Sequence, residues 1–104
     1  MGSNFRRLTA YRLASELADD VHRLVGSFPA LDQRTLGVQL IRAADSVGAN
    51  IAESTGRWPV NDKRRLLLIA RGSLLEAEHW LVRGEARGLI DPGTATASKR
   101  SRER

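Results

Sequence analysis

The chain has 104 residues, no cysteine, and 17 Lys and Arg against 12 Asp and Glu, for a net charge of +5. That length suits one domain around one core, and the lack of cysteine excludes disulfides and thiolate metal sites, so a reducing compartment, the cytoplasm by default, is expected. No stretch approaches the ~18 uncharged apolar residues of a membrane span, the opening MGSNFRRLTAYRL lacks the apolar run of a secretory signal, and the positive charge permits attraction to a polyanion without specifying one.

From Ala10 the apolar residues Ala14, Leu17, Ala18, Val21, Leu24, Val25 and Phe28 recur at three- and four-residue steps. This spacing predicts a helix over roughly residues 9–27, capped by Thr9, with Glu16, Asp19 and Asp20 on its other side. Gly26, which tolerates a left-handed C-cap, and Pro29, which cannot continue the ladder, end it. A second run begins near Asp32 and places Leu36, Leu40, Ala43, Ala44, Val47 and Ile51 on one face, a helix over roughly 32–56. After RWPVND, with Asn61 or Asp62 as cap, Leu66, Leu67, Ala70, Leu74, Ala77, Trp80 and Leu81 predict a third helix over roughly 62–88.

Three long helices with short connectors read as an all-α, antiparallel up-and-down bundle occupying about residues 1–90. From Asp91 the segment DPGTATASKRSRER has almost no apolar surface to bury, so residues 91–104 are expected to form a disordered basic tail. Its Lys99, Arg100, Arg102 and Arg104 either attract a polyanion or only solubilise the chain.

The second predicted helix carries a polar stripe, Ser46, Asn50, Glu53 and Arg57, beside its apolar one. Such a border suits helix register: Asn50 can hydrogen-bond a facing helix, and Glu53 can pair with Arg57 one turn later. Gly37, Ala44 and Gly48 sit towards one edge of the apolar stripe, and two glycines in one helix point to close packing, since each costs about 1 kcal/mol relative to alanine. On the third helix, Leu68, Leu75 and Val82 make a second, seven-residue-spaced stripe that needs a cover from elsewhere in the protein or from another subunit.

Little in the chain points to catalysis. His22 and His79 are alone on their helices, without the spacing of metal ligands; Ser46, Ser54 and Ser73 lack a nucleophile context; and GTATASKR lacks the second glycine, strand and helix of a phosphate loop. No catalytic residue, metal site or cofactor is expected. The basic run is more informative: Arg57, Lys63, Arg64, Arg65 and Arg71 cluster around the second connector, with Trp58 placed to stack on a base or a guanidinium. Two readings stand side by side, a phosphate-binding patch and a solvated helix start with Trp58 packed against the bundle end.

Phe28-Pro29, QLIRAADSV (Gln39 to Val47), NIAE (Asn50 to Glu53) and ARGSLLE (Ala70 to Glu76), in this order and spacing, resemble a bacterial four-helix-bundle family. It is labelled as the ribosomal-type protein encoded within 23S rRNA intervening sequences, and is related to the accessory variability protein of diversity-generating retroelements. The resemblance runs from about Phe5 to Ile90. It implies an up-and-down bundle that assembles as a ring, commonly a pentamer, with a role in nucleic-acid binding and no catalytic residue. Ser46, Asn50, Glu53, Ser73 and Glu76 carry over as structural signatures.

The chain departs from the family pattern twice: Ser54 stands where glycine is usual, and DPGTATASKRSRER follows where a fourth amphipathic helix is usual. The expectation is a non-enzymatic, self-assembling bundle that binds RNA or DNA within a larger ribonucleoprotein or reverse-transcriptase-associated assembly. The alternative is a protein-protein adaptor whose Leu68, Leu75 and Val82 stripe docks a partner helix, with no nucleic-acid role.

Overall fold

A computed structural model describes residues 4–92 of the chain. A 3-10 turn (Phe5–Arg7) leads into α1 (Thr9–Gly26). Next come α2 (Ala30–Asp32), a π-helical segment (Gln33–Gly37) and α3 (Val38–Thr55), which run on from one another; α4 (Val60–Ala86) follows a short loop that contains the cis Trp58–Pro59 bond. The described residues contain no strand, and none of their helices is long and apolar enough to cross a membrane.

The starts of the second and third predicted helices differ from the sequence reading, and the reason is proline. Pro29 takes the N-cap position with φ −57°, already near the helical value, so the second helix begins at Ala30 and Asp32 falls within its first turn. Pro59 does the same for α4, which begins at Val60 with Asn61 and Asp62 inside the first turn instead of capping it. Thr9 is likewise the first helical residue of α1, with Leu8 at the cap and no side chain bonding the free N–H groups. Gly26 does not turn left-handed: Ser27 ends α1 in a right-handed conformation, and the positive φ, 74°, belongs to Gly88, two residues beyond α4.

The helices run antiparallel. Gly48 lies beside Tyr11 and Ala14, whereas Gly37 lies beside Val25 at the other end of α1; on the opposite side of α3, Ser46 meets Ser73 of α4. α3 packs against both α1 and α4, which scarcely meet each other. The face predicted for the second helix is buried throughout, with Leu40 and Ala44 at 0 % exposure and Leu36, Ala43, Val47 and Ile51 close behind. α1 contributes Ala14, Leu17, Val21 and Val25, followed by Phe28 in the connector.

α4 buries less than its apolar periodicity offers. Leu66, Ala70 and Ala77 are buried against α3, but Leu74, Trp80 and Leu81 are only half-buried and Leu67 is 44 % exposed. Leu67, Leu74 and Leu81 repeat every seven residues along one edge of the buried face; Leu74 and Leu81 pack against the core from there, whereas Leu67 stays largely in solvent.

Gly37 and Gly48 have different roles. A Cβ on Gly37 would lie 2.7 Å from Val25 Cγ1 and 3.0 Å from the Asp32 carbonyl oxygen, so the π-helical turn and the approach of α1 both require the missing side chain. A Cβ on Gly48 would sit 3.6 Å from Ala14 Cβ and from Tyr11, an ordinary contact. Urea denaturation should therefore separate them: Gly37→Ala is expected to destabilise the fold by about 1–3 kcal/mol through overpacking. Gly48→Ala should be neutral or stabilise it by up to about 1 kcal/mol through helix propensity.

Candidate functional site

The polar stripe of α3 forms a connected network at its contact with α4. Ser73 Oγ donates to Ser46 Oγ at 2.9 Å, and Asn50 Nδ2 donates to the same oxygen at 3.0 Å and to the Ser46 carbonyl at 2.8 Å. The bond between helices is thus made by the two serines, while Asn50 braces Ser46 from within its own helix and does not reach across. Glu76 faces along α4, where Trp80 Nε1 donates to it at 3.2 Å. Ser54, in place of the glycine usual in the resembling family, is buried and donates its hydroxyl to the Ile51 carbonyl at 2.6 Å.

Glu53 pairs with Arg57 across the end of α3. The hydrogen bond first, and the carboxylate charge second, hold the Arg57 guanidinium above its ordinary pKa. Arg57 is therefore committed to a carboxylate of its own chain. Lys63, Arg64, Arg65 and Arg71 differ from it, because the ion pairs among the described residues are Arg57–Glu53 and Arg23–Asp20.

The fold brings most of the predicted basic patch together at one end of the bundle. Arg57, Trp58, Lys63, Arg64 and Arg65 occupy the α3–α4 loop and the first turns of α4. Arg71 stands about 9 Å further along the α4 axis and marks the edge of the patch. Trp58 is 86 % exposed, so the reading that packs it against the bundle end does not hold. Val60, beside it, is also exposed. On the outer face of α4, Asn61, Arg64, Arg65, Leu68 and Ile69 line a shallow, open depression.

Periodicity did not place three further cations in this region. Because α1 runs antiparallel to α3, its start lies at the level where α3 ends, and the Phe5–Arg7 turn packs on α3. Arg6, Arg7 and Arg12 therefore share this end of the bundle with the α3–α4 loop. The turn is held by edge-to-face packing of Phe5 on Tyr11, with ring centroids 5.0 Å apart, and Arg6 lies 5.6 Å over the Phe5 ring. Only the helix register, not any local motif, could have revealed this grouping.

The stripe of Leu68, Leu75 and Val82 runs along the back of α4, away from α3, at 58, 56 and 59 % exposure. His22 and His79 are exposed, His79 edge-to-face with Trp80 at 4.8 Å, and no group of three or more potential metal ligands forms among the described residues. Removing either serine hydroxyl of the helix-to-helix bond should cost about 0.5–1.5 kcal/mol. In a double-mutant cycle, Ser46→Ala with Ser73→Ala is expected to cost less than the sum of the single changes, read by chemical denaturation.

No curated protein matches this chain. The profile of the family described as 23S rRNA-intervening sequence protein matches residues 6–103. The match runs past the last described residue into the segment read as a basic tail; apart from its first two residues, that predicted tail, like any fourth helix, lies outside the described residues. With nearly the whole chain matched and three long helices where that family's bundle is expected, the chain belongs to the 23S rRNA-intervening sequence protein family.

Proposed function

We propose that this protein is a non-enzymatic, self-assembling helical bundle that binds RNA or DNA through the backbone charge of its basic end. Its place would be in the cytoplasm, within a ribonucleoprotein or reverse-transcriptase-associated assembly. The single observation that carries the reading is the gathering of Lys63, Arg64 and Arg65 with Arg6, Arg7 and Arg12 at one end, none of them paired with a carboxylate among the described residues. Repulsion within such a cluster costs stability unless a polyanion offsets it. The family's name adds an association with ribosomal RNA.

Arginine predominates among these cations, and its planar fork suits phosphate oxygens. Neutralising phosphates releases counterions, so affinity should fall steeply with salt. Self-assembly, in the pentameric ring that the resemblance implies, would use the exposed stripe on the back of α4, where Leu68, Leu75 and Val82 repeat at a spacing suited to a second helix.

The adaptor reading draws on that same stripe, since a partner helix of another protein would fit it as well as a sister copy would. Light scattering tells these apart: a homo-oligomer that Leu75→Glu dissociates supports self-assembly, whereas a monomer unaffected by that change supports the adaptor. For the basic end, the triple reversal Lys63→Glu, Arg64→Glu, Arg65→Glu should weaken binding to a mixed-sequence RNA at least about tenfold and reduce the slope of log affinity against log salt by about 2. Unchanged affinity and slope would reject the patch.

A further inference from the structure

We infer that the basic end recognises unpaired, single-stranded nucleic acid, with Trp58 as a stacking platform for an exposed base; this rests on the nucleic-acid reading above. Three observations lead there. Trp58 is the most exposed large apolar side chain among the described residues, at 86 %, whereas Trp80 is half-buried and donates its indole N–H to Glu76. Its ring takes part in neither of the aromatic pairs, Phe5 with Tyr11 and His79 with Trp80. An indole so placed contributes little to the core, and at 86 % exposure its ring is accessible to a planar ligand.

The charges around it have a particular arrangement. Arg57, its neighbour in the chain, is occupied by Glu53, so the cations left to meet phosphates stand further away, on the first turns of α4 and on the Phe5–Arg7 turn and α1. A strand crossing this end could therefore place its backbone along those cations while a base lies on Trp58. In a duplex the faces of the bases are covered by their neighbours, so an indole on an exposed loop can meet only edges or backbone. Charge alone would then hold a duplex, and Trp58 would add nothing.

An anionic lipid surface also attracts cations and tryptophan. The single strand is favoured because the unpaired cations here are mostly arginine, whose planar fork suits phosphate oxygens, and because the one apolar group standing almost wholly in solvent beside them is an indole, whereas Val60, Leu68 and Ile69 are only 57, 58 and 42 % exposed.

The test measures binding of a short oligouridylate single strand and of an RNA duplex of equal length, for the full chain and for Trp58→Ala, Trp58→Phe and the triple reversal at Lys63, Arg64 and Arg65. Trp58→Ala should weaken single-strand binding about tenfold, Trp58→Phe should restore most of that loss, and duplex binding should stay within about twofold for both. With Trp80→Phe leaving Trp58 as the one tryptophan, its emission should be quenched by the single strand and not by the duplex.

An equal effect of Trp58→Ala on both ligands, or none on the single strand, overturns the inference while leaving the basic patch intact, provided the triple reversal still weakens both. If the triple reversal weakens neither, the nucleic-acid reading itself fails. A Trp58 emission shift with vesicles of anionic phospholipid but not with the single strand would make the tip a lipid contact instead.

Discussion

Leu40 and Ala44 lose all contact with solvent because α3 packs between α1 and α4, and this double packing sets the position of everything else. One helix can be covered on two sides only if its side chains leave room. Ala43 and Ala44 supply that room at the centre, and Gly37 supplies it where Val25 comes closest. The π-helical turn at Gln33–Gly37 belongs to the same contact, since the Asp32 carbonyl and Val25 both occupy space that a side chain on Gly37 would need.

Apolar packing of this kind is poor at fixing how far one helix slides along another, because leucine and alanine faces tolerate shifts. The hydroxyl contact of Ser46 with Ser73, braced by Asn50, is directional and sits at one level of the α3–α4 interface. It selects a register in the way border polar residues do in coiled coils. The groups that resemble a small polar site are thus hydrogen-bonded to one another, and no buried side-chain polar atom among the described residues lacks a partner.

The packing of α1 on α3 decides which residues meet at one end of the bundle. Antiparallel packing places the beginning of α1 and the end of α3 at one level, so cations more than forty positions apart in the chain share one end of the bundle. Glu53 draws Arg57 into a local pair, while Arg6, Arg7, Arg12, Lys63, Arg64 and Arg65 have no carboxylate partner among the described residues. Meanwhile α4 touches the rest of the protein on one side only. Its Leu67 and its Leu68, Leu75 and Val82 back are consequently exposed.

How much of this was legible in the sequence follows from the range of each interaction. Three- and four-residue spacing determined the three helices and the buried face of α3, because side-chain direction within a helix depends on local geometry alone. The i,i+4 spacing likewise revealed the Glu53–Arg57 pair. The second and third helices start two residues ahead of the sequence reading, at Ala30 and Val60, because the two prolines, not the polar side chains after them, hold the cap positions. Tertiary structure alone decided that Ser73 rather than Asn50 bridges the helices, that Trp58 stands in solvent, and that Arg6, Arg7 and Arg12 join the basic end. It also decided how much of the apolar face of α4 finds cover. Periodicity states which side of a helix avoids water; what lies against that side is settled by residues far away in the chain.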